Sequence, residues 1–248
     1  MMATLPENVH VFDNGEAVAQ AAAAAFRDII ASSPGDRIAV CLSGGSTPKR
    51  LYKLLLDKGN GRRIPWDRVH WFWGDERFVP MRDERSNAGM AWGAFLAHAP
   101  EPLDSVHVVP LTSNSAAHSA ELYEDELKLF YGADQLDPAR PLFDLVLLGL
   151  GEDGHTASLF PGSPALKERE RWVTSVEEAG QAPFVPRVTL TLPALESARE
   201  VLFLVSGAAK RTALARVLAG EELPAARVQP TGRLRWLVDR AAAPEDAS

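Results

Sequence analysis

The chain has 248 residues, of which 46% are hydrophobic and 24% charged, as in a folded globular protein with one large domain or one domain and a small appendage. The net charge of -7 argues against general binding to nucleic acids or anionic membranes, but allows a phosphorylated small molecule in a locally basic pocket. One cysteine excludes an internal disulfide, and no signal peptide or membrane span is recognisable. We expect a cytoplasmic monomer or small homo-oligomer.

The hydrophobic pattern predicts alternating helices and strands. Helices are expected over 16–30, 49–57, 87–96, 116–131 and 208–218. Strands are expected over 38–42, 69–73, 106–109, 143–148, 188–192, 201–205 and 235–239. The loop at 171–187 is the least regular part, and the tail at about 241–248 is expected to fray.

Apolar strands that alternate with helices are typical of an α/β fold, in which a mainly parallel sheet is flanked by helices on both faces. We expect a single domain over 1–248. In such sheets ligands bind beyond the carboxyl ends of the strands. The segments SGGSTP (43–48), GDER (74–77) and GEDGH (151–155) all directly follow predicted strands.

The stretch 149–154 matches the dinucleotide-binding pattern G-x-G-x-x-G, but two features count against that interpretation. Glu152 and Asp153 lie inside the turn and would repel a pyrophosphate, and a proline–glycine pair leaves room for only a short helix after it. The alternative is that the glycines place Asp153 and His155 at a strand end. Histidine is the side chain most readily poised for proton transfer near neutral pH, so His155 is the preferred catalytic candidate.

Two other loops offer anion-binding groups. SGGSTP combines glycines, which let backbone N–H groups approach an anion, with hydroxyl donors and a helix N-terminus. GDER offers two carboxylates and an arginine, which could serve as an acid, a hydroxyl acceptor and a phosphate clamp. The alternatives are an ordinary capped turn for the first loop and a solvated, salt-bridged turn for the second.

Two scattered cations could complete a phosphate or carboxylate site. Arg187 precedes VTLTLP, and Lys210 follows the apolar run VLFLV and a turn. Each alone fits a surface charge better.

The chain shows no zinc-ligand spacing and no G-x-S-x-G, so the sequence predicts neither a metal centre nor a serine nucleophile.

Together these segments resemble the 6-phosphogluconolactonase family, whose bacterial single-domain members are related to glucosamine-6-phosphate deaminases. The matching stretches are LSGGSTPKRLY (42–52), WGDERFVP (73–80), LGLGEDGHTASLFPG (148–162), PRVTLTLP (186–193) and SGAAK (206–210). They span nearly the whole chain in the family's order. The resemblance identifies the 149–154 match as the family's histidine loop and not a dinucleotide turn.

The resemblance implies hydrolysis of 6-phospho-D-glucono-1,5-lactone, the second step of the oxidative pentose phosphate pathway, without metal or organic cofactor. In this interpretation His155 is the general base on a water, and Asp153 or Asp75 orients the imidazole or accepts substrate hydroxyls. The residues expected to hold the phosphate are Ser43, Gly44, Gly45, Ser46, Thr47, Arg77, Arg187 and Lys210.

Two motif differences separate this chain from the related deaminases. In those enzymes DGH is followed by I-A-F-N-E-P, whose glutamate takes part in ring opening, whereas here TASLFP follows. Their D-E-Y is replaced by Asp75-Glu76-Arg77. Both differences favour a lactonase. The alternatives are an amino-sugar-phosphate deaminase, a sugar-phosphate-binding regulatory domain without catalysis, and a Rossmann oxidoreductase.

Overall fold

The computed structural model describes residues 5–57, 64–100, 103–111 and 114–244. Its strands are β1 (Val9–Phe12), β2 (Ile38–Leu42), β3 (Val69–Trp73), β4 (Asp75–Arg77), β5 (Leu145–Leu148), β6 (Val173–Val176), β7 (Arg187–Leu190), β8 (Glu200–Val205) and β9 (Arg233–Asp239). Its α-helices are α1 (Gly15–Ser32), α2 (Ser46–Leu55), α3 (Asn87–Ala94), α4 (Ala116–Tyr131), α5 (Leu192–Glu196) and α6 (Arg211–Leu218).

Six strands form one sheet in the order β1-β9-β8-β5-β2-β3, and every neighbouring pair is parallel. β2, β5 and β8 are buried along their whole length, as expected of strands covered on both faces. The strands β4, β7 and β6 form a small antiparallel sheet. The predicted α/β class with a mainly parallel sheet is confirmed.

The register of the parallel sheet brings the carboxyl ends of its strands to one edge. Leu42 pairs with Trp73, and Leu148 pairs with Phe203. The loops that leave β2, β3, β5 and β8 therefore open on the same side of the sheet, which is where a ligand is expected in this class of fold.

Helix boundaries follow local capping. The Asn14 side chain accepts the N–H groups of Glu16 and Ala17 at the start of α1, and the Ser115 hydroxyl accepts an N–H at the start of α4. α1 packs against α2, β8 and β9, whereas α4 packs against β6 and β7. Within the described ranges, no helix combines the length and apolarity needed to cross a bilayer.

The predicted strand at 106–109 is wrong. Val106 forms only an isolated bridge with Trp71, although the His107 N–H donates to Trp71 O at 2.9 Å. The ladder does not continue because the Tyr123 hydroxyl occupies the backbone of Trp73, two residues further along β3: it accepts Trp73 N–H at 2.8 Å and donates to Trp73 O at 3.2 Å. A side chain from α4 thus takes the place of another strand.

Other differences concern short elements and boundaries. β1, β4, β6 and α5 were not predicted, and β6 lies inside the loop expected to be irregular. The expected helix at 208–218 begins as the 3-10 turn Ala208–Lys210 and continues as α6. Ala242 and Ala243 are buried and donate N–H groups to Asp239, so the predicted fraying does not hold there. Residues 245–248 lie outside the described residues.

A polar chain joins β3 to α4. His70 Nδ1 lies 2.9 Å from His107 Nε2, and His107 Nδ1 lies 2.6 Å from Glu126 Oε1. Phe130 contacts both imidazole rings, and the Arg37 guanidinium lies over the Phe130 ring. Burial, together with the charges of His107 and Arg37, lowers the pKa of His70 to about 4.

We expect this histidine to make the folded state acid-sensitive. The unfolded chain takes up a proton on His70 below pH ~6.5, whereas the folded chain resists protonation down to about 4. Stability therefore falls as the pH is lowered through this window. Because the ring is only partly buried, the loss of unfolding free energy attributable to His70 is about 1–2 kcal/mol.

Urea unfolding at pH 7 and 4.5 should show a smaller loss of unfolding free energy for His70→Asn than for wild type. His118→Asn, at an exposed site on α4, should behave as wild type; equal losses for all three would contradict the expectation.

Candidate active site

A cleft of ≈ 280 Å³ lies where the loops after β2, β3, β5 and β8 converge. All the predicted site residues except Asp153 line it: Ser43, Gly44, Gly45, Ser46, Thr47, Asp75, Arg77, His155, Arg187 and Lys210. Segments far apart in sequence therefore meet at the edge of the sheet where the strand ends predicted a ligand.

His155 and Asp153 form a hydrogen-bonded pair in the loop after β5. The imidazole Nδ1 lies 2.6 Å from Asp153 Oδ1, which also accepts the backbone N–H of His155 at 3.0 Å. Partial burial opposes ionisation of Asp153, but these bonds outweigh it and hold the pKa of the carboxyl below its usual range. An ionised Asp153 fixes the imidazole proton on Nδ1, which leaves Nε2 as the basic nitrogen.

The loop backbone leaves room for this imidazole. A Cβ on Gly151 would lie 2.0 Å from Nδ1 of His155, so any other residue there would displace the ring. The Phe160 ring also confines it, with a centroid separation of 4.7 Å. The space beside Gly151 and the contact with Phe160 thus hold the imidazole in the orientation in which it lines the cleft.

Asp75 belongs to a separate polar network. Its Oδ2 accepts the Ser158 hydroxyl at 2.6 Å, and its Oδ1 accepts Asn87 Nδ2 at 3.2 Å. The sequence left open whether Asp153 or Asp75 lies against the imidazole; in the structure the carboxylate in contact with it is Asp153. Asp75 instead ties the histidine loop, through Ser158, to β4 and α3.

Glu76 is fully buried behind the cleft. Its carboxylate accepts the Ser86 hydroxyl at 3.0 Å and the backbone N–H groups of Arg77, Asn87 and Ala88 at 2.7 Å each. Burial raises the pKa of this carboxyl despite the hydrogen bonds that oppose the shift. The carboxylate caps the N-terminus of α3, so its hydrogen bonds are to backbone N–H groups and the Ser86 hydroxyl, and it does not line the cleft.

The loop before α2 presents free donors. No described group accepts the backbone N–H of Gly44 or Gly45, and the first turn of α2 adds N–H groups without intrahelical partners. Tyr52 fixes the start of the loop, since its hydroxyl donates to Ser43 O at 2.7 Å and accepts Ser43 N–H at 2.9 Å. A Cβ on Gly44 would lie 2.0 Å from Asn87 Oδ1, so glycine permits this close approach.

Arg77 enters the cleft from β4 and is only partly bonded to protein. Its Nη1 donates to the backbone oxygen of Arg85 at 2.6 Å, whereas its Nε is buried and has no partner in the described part of the chain. A buried donor without an acceptor is unfavourable, and an anionic ligand would relieve it.

Arg187 is almost completely buried in the cleft wall, with 3% of its surface exposed. Its Nε donates to Val185 O at 3.2 Å and its Nη2 to Pro183 O at 2.8 Å. Its Nη1 lies 3.9 Å from Asp75 Oδ2. Most of its donors therefore hold the loop at 181–185, and Nη1 remains on the side of Asp75.

Lys210 closes the site from the loop after β8, at the end of the 3-10 turn Ala208–Lys210. It has no carboxylate partner among the residues that the structure describes. A cation that lines a cleft without an internal counter-ion is available to an anionic ligand.

Some cleft residues carry no signal in the sequence. Gln181 and Ala182 line the cleft through the course of the backbone, with no pattern that would have singled them out, whereas Phe160 and Ser206 lie within the matched family stretches without a chemical signal of their own. Tyr52 and Ser158 lie within the matched family stretches, but their contacts require the fold. Among the described residues, no group of three or more His, Cys, Asp or Glu is arranged to hold a metal ion.

Comparisons with known proteins show which family this chain resembles. Residues 13–236 match the family model described as glucosamine-6-phosphate isomerases/6-phosphogluconolactonase. A 6-phosphogluconolactonase of Nostoc sp. is 43% identical over 214 residues, which cover 84% of this chain and 85% of the relative. The human 6-phosphogluconolactonase is 39% identical over 253 residues, covering 98% and 95%. The solved 6-phosphogluconolactonase of Trypanosoma cruzi has a TM-score of 0.84 and 32% identity, with 97% of each chain covered.

Proposed function

The chain belongs to the glucosamine-6-phosphate isomerase/6-phosphogluconolactonase family, and from this premise we propose that it hydrolyses 6-phospho-D-glucono-1,5-lactone to 6-phospho-D-gluconate in the oxidative pentose phosphate pathway. The observation that carries the proposal is that His155, paired with Asp153, lines the same cleft as the cations Arg77 and Lys210. An oriented base near cations suits hydrolysis of a neutral ester group in a molecule that also carries an anionic phosphate.

The acidic groups of the cleft favour a lactonase over a deaminase. The stretch after His155 contains no acidic residue until Glu168. Among the described lining residues, Asp75 is the only carboxylate, and Ser158 and Asn87 already donate to it. Ring opening of an amino sugar would need a free carboxyl group in the cleft. Neither the stretch after His155 nor the described lining residues supply one.

The phosphate is proposed to bind at the loop 43–47. The backbone N–H groups of Gly44 and Gly45 and the N-terminus of α2 suit an anion. Arg77 and Lys210 supply full positive charge, and Arg187 adds charge from the cleft wall. Because the 6-phosphate is remote from C1, its binding energy can be used to position the reacting carbon.

The chemical step is proposed to use His155 as general base. Nε2 takes a proton from a water whose oxygen forms a bond to C1, which gives a tetrahedral oxyanion. The bond between C1 and the ring oxygen then breaks, and the imidazolium returns its proton to that oxygen. Asp153 holds the proton on Nδ1 and stabilises the imidazolium. A lactone is an activated ester, so general-base catalysis of roughly 10²–10⁴-fold is adequate without a covalent nucleophile.

The test is hydrolysis of freshly generated 6-phosphogluconolactone at slightly acidic pH, where the spontaneous reaction is slow, beside an enzyme-free blank. Acceleration without ammonia release from glucosamine 6-phosphate supports the proposal. Ammonia release without lactone hydrolysis would identify a deaminase. Tight binding of 6-phosphogluconate without turnover of either substrate would identify a regulatory domain.

A further inference from the structure

The last residue of β9, Asp239, is a buried carboxylate that faces the turn after β8. Its Oδ2 accepts the Ser206 hydroxyl at 2.8 Å, and both oxygens lie 3.0 Å from the backbone nitrogen of Gly207. Its Oδ1 also accepts Ala242 N–H at 2.8 Å. Throughout the described ranges, no Lys, Arg or His forms a salt bridge with it. This carboxylate is therefore stabilised by neutral donors, and two of its three partner residues, Ser206 and Gly207, form the turn.

The turn leads directly to Lys210. The Lys210 N–H donates to Gly207 O at 3.0 Å, which places the lysine one 3-10 turn after the residue bound by Asp239. Ser206 and Lys210 both line the cleft, whereas Asp239 does not. The lysine side chain is flexible, and no carboxylate of the described chain holds its ammonium group. Its place in the cleft depends on where this backbone turn lies.

We propose that Asp239 is a positioning residue for substrate binding: it fixes the turn from which Lys210 reaches the substrate phosphate. The inference rests on the proposed lactone hydrolysis. Asp239 lies behind the turn and acts only through Lys210. An asparagine of the same shape presents an NH₂ group where the carboxylate oxygens now meet donors, so at least one bond to the turn is lost.

The test is Asp239→Asn, assayed with 6-phosphogluconolactone and with unphosphorylated glucono-1,5-lactone. KM for the phosphorylated substrate should rise by about tenfold, since a displaced Lys210 loses its charge-assisted hydrogen bond to the phosphate. The kcat should stay within about twofold, because the reacting groups are untouched. The kcat/KM for the unphosphorylated lactone should be unchanged.

A double-mutant cycle with Lys210→Ala separates positioning from general loosening of the fold. If Asp239 acts through Lys210, Asp239→Asn adds nothing to KM once the lysine is gone. An equal rise of KM in both backgrounds would overturn the proposal, as would an unchanged KM in the single variant. Should Asp239→Asn fail to fold, Ser206→Ala removes one of the same bonds and enters the same cycle.

Glu200→Gln is the matched control. Glu200 is another buried carboxylate of this strand pair, but it lies at the opposite end of β8 and bonds to Arg233 and Arg235. Its replacement should lower the unfolding temperature and leave KM unchanged.

A wild-type protein no faster than the blank would instead refute the proposed function. Active wild type with an unshifted Asp239→Asn would refute this inference alone.

Discussion

Replacement of His155 by alanine is expected to lower kcat for 6-phosphogluconolactone by roughly 10²–10⁴-fold, the usual contribution of a general base. Affinity for the product 6-phosphogluconate should change little, because the proposed phosphate contacts come from other loops. Stopped assays against an enzyme-free blank give kcat, and a titration with product gives the Kd. Full activity in the variant would contradict the assignment of His155.

Asp153→Asn provides the graded control for this experiment. The amide retains the shape of the carboxylate, but it neither holds the proton on Nδ1 as firmly nor stabilises a charged imidazole. We expect a loss of kcat smaller than that of His155→Ala, again with product affinity preserved. A loss of product affinity equal to the loss of kcat would indicate that the loop had moved, and the interpretation of both variants would fail together.

Removal of the Arg77 side chain is expected to raise KM for the phosphorylated lactone by about 10–100-fold, which corresponds to one or two charge-assisted hydrogen bonds to the dianion. The reason is that its buried Nε has no protein acceptor in the described chain. Steady-state kinetics with phosphorylated and unphosphorylated lactone measure the effect. A rise of KM confined to the phosphorylated substrate is the expected result.

Arg85→Ala is the matched arginine control. Its side chain pairs with Asp83 at the surface, and only its backbone oxygen receives the Arg77 guanidinium. Its removal should leave both KM values as in wild type. An equal effect of the two arginines, or an equal effect of Arg77→Ala on both substrates, would show that Arg77 does not recognise the phosphate.

The central part of the fold could be predicted because it depends on local signals. β2 and β3 are short apolar runs whose predicted ends agree with the structure, and α4 has a Ser115 cap and a left-handed Gly132 at its two ends. The strand at 106–109 failed for a reason that no local pattern contains. Tyr123, from an element that follows it in sequence, occupies the backbone groups that a further strand would need.

The candidate site likewise combines features that local sequence signals predict with contacts that only the fold determines. His155, Arg77 and the glycine loop are chemically distinctive and follow predicted strands, so they could be proposed from sequence alone. The partner of each group could not. Whether Asp153 or Asp75 contacts the imidazole depends on how the loop after β5 turns. The role of Asp239 depends on two strands that meet only in the folded sheet.

The hydroxyl of Tyr123 has a further consequence for the solubility of the protein. β3 is an edge strand of the six-stranded sheet, and open edges invite pairing with strands of other molecules and so aggregation. Here Val69 N–H donates to Trp66 O, Trp71 O accepts from His107, and both backbone groups of Trp73 bind the tyrosine. These bonds pair backbone groups on the outer edge of β3 within the chain itself, so fewer of them are left for a strand of a neighbouring molecule.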